Sequence, residues 1–145
     1  MPAATPRPFL LDSSAVLTLI EDEAGASRVE EVLRQEECFL PWMALLEVRY
    51  ISRKEVGEEE ADRRFALMKQ LGCSLLWKID EHLVLTASEW KAGHRISLAD
   101  ALIAAYARHA GAILLHKDPE FEALAGSLPM ERLPYKTKLG GKKKP

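Results

Sequence analysis

Four short apolar runs, each separated from the next by helical patterning, constrain this 145-residue chain more than any other feature. Phe9-Leu10-Leu11, Cys38-Phe39-Leu40, Ser74 to Trp77 and Ala112 to Leu115 read as buried strands. Between the first two, Ser14 to about Asp22 and Ala26 to Glu36 have helical spacing. Trp42 to about Lys54 and Glu58 to Leu71 follow, with Gly57 between them and Gly72 as a stop. Asp80 to Ala92 and Leu98 to Ala110 are the next helical stretches, the latter closed by Gly111. Asp118-Pro119 opens a short helix to Ala125. Short apolar strands joined through helices predict an α/β fold: a short parallel central sheet with helices on both faces. Such sheets carry their sites beyond the carboxyl ends of the strands.

The length suits one domain, placed at residues 8–135 between flexible ends at 1–7 and 136–145. With 48% hydrophobic and 29% charged residues, the chain is neither disordered, collagen-like nor a coiled coil. A membrane span needs about 20 consecutive apolar residues, and the apolar runs here are only a few residues long. Met1 to Pro8 lacks the apolar core of a secretory signal. Cys38 and Cys73 have no C-x-x-C spacing and read as small buried residues in a reducing cytoplasm. The net charge of −2 conceals an asymmetry: Lys136, Lys138, Lys142, Lys143 and Lys144 leave 15 basic and 22 acidic residues in 1–135, a net of −7. An acidic body repels polyanions. If it acts on nucleic acid, a cation held by its own acids could offset that repulsion.

Four acids stand at positions where such a site would form, and each also has a structural reading. Asp12 closes the first strand: it is either the N-cap of the next helix or a cation-holding carboxylate at the sheet edge. Glu47 sits in the apolar stretch Trp42 to Val48, so it needs a partner: Arg49, Arg53 or another neighbour, or a metal. Asp100 follows Ser97 by three residues, the spacing of a capping box, and an N3 carboxylate also projects toward the crevice. Asp118 precedes Pro119, as at a helix start, and lies just beyond the fourth strand. Four converging carboxylates repel unless protonated or neutralised, and oxygen-rich coordination suits Mg²⁺ or Mn²⁺. His82, His94, His109 and His116 show no i,i+4 pairing and no nearby cysteine, which argues against zinc.

Leu10 to Leu17, Leu46-Glu47, Ser97 to Ala105 and Leu114 to Phe121 together resemble the PIN-domain ribonucleases, most closely the VapC-type toxins of toxin–antitoxin pairs. The resemblance spans about residues 8–135. It implies a three-layer α/β/α fold and a Mg²⁺- or Mn²⁺-dependent endoribonuclease with the acidic quartet Asp12, Glu47, Asp100 and Asp118. In that scheme Asp12 and Asp100 hold the metal, while Glu47 and Asp118 complete the site or orient water for phosphodiester hydrolysis. It further implies an RNA substrate, a cognate antitoxin, a homodimer and a cytoplasmic setting. His116 departs from the small hydroxyl residue that many members carry two positions before the last acid; otherwise it reads as a strand-end histidine facing solvent. Ser13 or Ser14 could bond a carboxylate, a phosphate or a helix end. Lys117, Arg49, Arg53 and Arg95 are either phosphate contacts or solvated surface charges.

Three further readings are compatible with an acid cluster. A phosphoacceptor receiver domain calls for an acid pair at the first strand and an aspartate ending a central one. Here Asp12 is followed by Ser13-Ser14, and the runs at Leu40 and Trp77 end in no aspartate. A haloacid-dehalogenase-type phosphatase calls for an acid where Ser14 stands. An inactive PIN-like binding module would keep the fold without the chemistry.

Overall fold

The computed structural model describes residues 6–136. The reading of residues 1–7 and 136–145 as flexible ends falls almost wholly outside them. The elements run β1 (Phe9–Leu11), α1 (Ser13–Ile20), α2 (Ala26–Gln35), β2 (Cys38–Pro41), α3 (Trp42–Val56), α4 (Glu58–Met68) and β3 (Ser74–Leu76). They continue with α5 (Glu81–Gly93), α6 (Leu98–His109), β4 (Ile113–His116), a 3₁₀ segment (Pro119–Leu124) and β5 (Met130–Arg132). All strand pairings are parallel, in the order β3-β2-β1-β4-β5. The expected parallel sheet is therefore present, with β5 as an edge strand that the apolar pattern did not reveal. The short helix expected before Ala125 is a 3₁₀ segment.

Alternation along the central strands divides the core into two layers. Leu10 and Leu114 face one side, where they meet Leu83, Trp90, Ile103 and Tyr106 of α5 and α6. Phe9, Leu11 and Leu115 face the other, against Val16, Val29, Leu45, Val48 and Met68 of α1 to α4. Both faces of each central strand are thus covered, so β1 is buried at every position and reads as an uninterrupted apolar run. Arg64 of α4, 8% exposed, donates to Glu21, Ser52 and Glu60, adding hydrogen bonds to the apolar packing of α4 against α1 and α3. Gly25 carries φ +105°, and a Cβ there would meet Pro134 at 3.1 Å and Leu133 at 3.3 Å. Only glycine lets the turn before α2 lie this close to the segment following β5. Among the described residues, no helix is long and apolar enough to cross a membrane.

Candidate metal centre

The carboxyl ends of β1 and β4 lie side by side, in the register Leu11 with Leu115. The residues that follow both strands therefore enter the same crevice. Asp12 leaves β1 and caps α1, accepting from Ala15 N at 2.9 Å. Ser14 Oγ lies 2.7 and 2.8 Å from its two oxygens and donates to the carboxylate. The same hydroxyl accepts from Lys117 N at 2.8 Å, which fastens the exit of β4 to the exit of β1. Capping and site-building are one arrangement here. Asp12 is 1% exposed, and burial pushes its pKa up to about 7.

Glu47 reaches the crevice from α3. It pairs with neither Arg49 nor Arg53: Ser13 Oγ donates to Glu47 Oε1 at 2.8 Å, while Arg49 turns to Asp62 and Arg53 lies near Glu58. Partial burial raises its pKa, with Asp118 and Glu120 adding to the effect. At its start α3 is tied to α6 by Trp42, whose indole Nε1–H donates to Tyr106 Oη at 2.6 Å. That hydroxyl donates in turn to the Lys78 carbonyl at 2.6 Å.

Asp100 stands in the first turn of α6 and is 5% exposed. Ser97 Oγ accepts from Asp100 N at 3.1 Å, as the capping box predicts. The reciprocal arm differs from expectation: Ser97 N donates to Glu120 Oε1 at 2.9 Å, so the Asp100 carboxylate is not taken up by its own helix end. Burial, then Glu120 and Asp118, push the Asp100 pKa up to about 10, and Asp12 adds to the repulsion. Asp118 leads into the 3₁₀ segment and accepts from Glu120 N at 2.9 Å.

Single carboxylate oxygens of Asp100, Asp118 and Glu120 lie within 4.8 Å of one another. The structure therefore brings Asp100 and Asp118 together and adds Glu120, which the sequence reasoning missed. Glu47 lines the same cleft; Asp12 is buried outside both that lining and the ligand-spacing group, and the charge of Asp118 raises the pKa of both. The cleft above, about 650 Å³, is also lined by Ser13, Ser14, Lys117 and Tyr135. No lysine or arginine among the described residues pairs with Asp12, Glu47, Asp100 or Asp118. Lys117 is no solvated charge: its side chain is 6% exposed, and Nζ reaches Glu23 at 3.3 Å and the Ala24 carbonyl at 2.9 Å. His116 does not face solvent either. It is 1% exposed, lies edge-on to Phe121, and accepts from Asp118 N at Nδ1. Burial lowers its pKa, so the neutral ring positions the backbone of Asp118. Without a cation, the acids meet their repulsion by holding protons. An oxygen-only donor set of three carboxylates, with Asp100 the buried one, fits a hard divalent ion.

Residues 9–127 match the family pattern of the PIN domain. The chain belongs to the PIN domain family. Three solved structures show the same fold. VapBC2 from Rickettsia felis, bound to a DNA fragment from its promoter, is 16% identical with a TM-score of 0.71 over 87% of this chain and 98% of that one. VapC20 from Mycobacterium tuberculosis, described as a sarcin–ricin loop cleaving toxin, is 18% identical with a TM-score of 0.69 over 86% and 98%. VapBC-1 from nontypeable Haemophilus influenzae is 20% identical with a TM-score of 0.67 over 86% and 96%. A search of curated proteins finds no match. For this PIN domain, the three-layer α/β/α expectation and the family resemblance both hold.

Proposed function

We propose that this PIN domain is a divalent-metal-dependent endoribonuclease that hydrolyses RNA phosphodiester bonds and serves as the toxin of a toxin–antitoxin pair. One observation carries the reading. Glu47, Asp100 and Asp118, far apart in the chain, line one cleft, with the buried Asp12 close enough for charge repulsion with Asp100 and Asp118, and no lysine or arginine among the described residues is ion-paired to any of the four. The structural neighbours support it: one is described as a sarcin–ricin loop cleaving toxin, and others as a toxin–antitoxin complex or a member of a toxin–antitoxin family.

Asp12 and Asp100 are the buried donors for Mg²⁺ or Mn²⁺, Asp118 is the more open one, and Glu47, held by Ser13, orients water. Bound there, the cation supplies Lewis-acid chemistry, polarising the phosphoryl group and stabilising the charge that develops during in-line attack by water. Asp100, as a carboxylate, would hold the ion, and Ser97 and Glu120 hold the turn that carries it. His116 and Ser14 fix the β4 exit, which keeps Asp118 in place beside Asp100. The reading assigns two protein partners, a cognate antitoxin and a second copy of the chain. Leu46, Tyr50 and Trp77, all exposed around a groove of about 550 Å³, offer apolar surface to a protein partner.

The test uses the chain purified free of any antitoxin. It is expected to cut single-stranded or structured RNA in Mg²⁺ or Mn²⁺ and to stop in EDTA. Asp12→Asn and Asp100→Asn should each lower cleavage by about 100-fold or more while leaving the circular dichroism of the fold unchanged. Full cleavage by both variants would remove the site from the reaction.

A further inference from the structure

In an ordinary capping box the residue at N3 reaches back to the backbone N–H of the N-cap. In α6 that residue is Asp100, and its carboxylate does not make the bond. Glu120, twenty-three residues further along, makes it instead: Ser97 N donates to Glu120 Oε1 at 2.9 Å. The main chain of Glu120 is engaged as well, donating from its N–H to Asp118 Oδ1 at 2.9 Å. One residue therefore holds the start of α6 through its side chain and the Asp118 carboxylate through its backbone. Its own carboxylate lies within ligand spacing of both acids. Asp100, meanwhile, is 5% exposed, and its carboxyl group lies against those of Asp118 and Glu120.

We infer that Glu120 is a positioning residue that releases Asp100 from its helix cap and holds Asp100 and Asp118 at the spacing a divalent cation needs. The inference rests on the metal reading proposed above. Its physical basis is geometric. A local capping box would fix Asp100 against α6 and leave the 3₁₀ segment free to drift away from it. Moving the reciprocal arm to Glu120 makes one contact both a helix cap and a tertiary tie across the two elements that carry the acids. The tie needs a side chain of this length with an acceptor oxygen at its end. The negative charge of Glu120 is a separate contribution, so the two are separable by mutation.

Glu120→Gln keeps the length and the acceptor oxygen, whereas Glu120→Ala removes both. Mn²⁺ binding by electron paramagnetic resonance and exchange of the Ser97 amide proton by NMR are measured on the full chain. Glu120→Ala should weaken Mn²⁺ binding at least tenfold and speed exchange at Ser97. Glu120→Gln should recover most of the affinity and keep Ser97 protected. Equal loss of affinity in the two variants would make Glu120 a charge and not a positioning group. Wild-type affinity in Glu120→Ala would overturn the inference and leave the metal reading standing. A wild-type chain that binds no Mn²⁺ would overturn both, and Asp100→Asn serves as the reference for lost binding.

Discussion

Asp12 shows how a single side chain carries two roles. Its carboxylate caps α1 through Ala15 N, and its burial lifts its pKa from 3.8 to about 7. A raised carboxyl pKa means that the folded chain keeps a proton the unfolded chain gives up. The stability this group contributes is fully present below about pH 4 and is lost as pH climbs toward 7. In EDTA, Asp12→Asn should therefore be more stable than wild type at pH 8 by about 1–3 kcal/mol. The gap should close near pH 4. A variant that unfolds more easily than wild type at pH 8 would show that the hydrogen bonds to the carboxylate outweigh its desolvation. His116 obeys the opposite sign. Its pKa is lowered by burial, so the folded chain holds the neutral ring and loses stability as pH falls below 6.5. Replacing it with the small hydroxyl residue common in the family, His116→Thr, opens space beside Phe121 and should cost about 1–3 kcal/mol at pH 8. Between pH 7 and 5 the variant should lose less stability than wild type, as denaturant titrations at each pH will reveal.

At the scale of elements, the start of α6 matters most, because it decides where Asp100 points. Ser97 Oγ accepts from Asp100 N, and Ser97→Ala removes that acceptor while sparing the bond from the backbone N–H of residue 97 to Glu120. The expected cost is about 1 kcal/mol, a fall of roughly 3–5 °C in the unfolding midpoint. A thermal scan showing no change would mean that Glu120 alone caps the helix. Elements of this kind differ in how far the sequence reveals them. Strand β1 is wholly buried and β4 nearly so, and their uninterrupted apolar runs mark them, together with the acids at their ends. Strand β5 carries Glu131 and Arg132 and lies at the sheet edge, so it has neither an apolar run nor a buried face. Its charges are explained by Arg28 from α2 and Glu122 from the 3₁₀ segment, partners that only the fold supplies. Glu120 was hidden for the same reason. Its bond to Ser97 crosses 23 residues, and from the sequence alone the capping box seemed complete with Asp100. What local spacing could show was the set of acids placed at strand ends and helix starts; which of them touch depends on tertiary packing.

The whole molecule joins a net charge of −7 over residues 1–135 to a cleft that gathers several of those acids. Such a body repels RNA at long range unless its most concentrated charge is neutralised. Among the described residues no lysine or arginine is ion-paired to Asp12, Glu47, Asp100 or Asp118, although Lys117 lies next to Asp118 in the chain. Its ammonium is directed away, to Glu23 and the Ala24 carbonyl. An ion that binds the folded cleft and not the unfolded chain must stabilise the fold, by about 2.7 kcal/mol at a concentration 100 times its Kd. Mn²⁺ or Mg²⁺ should accordingly raise the unfolding midpoint of the wild type by several degrees at pH 8. Na⁺ at matched ionic strength screens the acidic surface without filling the cleft, and should raise it far less. Asp100→Asn is the discriminating case, since it removes a buried donor that holds its proton in the absence of a cation, and so leaves the charge of the ion-free body unchanged. If divalent ions act through the cleft, their effect on this variant should shrink to that of Na⁺. If they only screen a body of −7, the variant should respond to them as the wild type does, and the cleft would have no claim to be a metal centre.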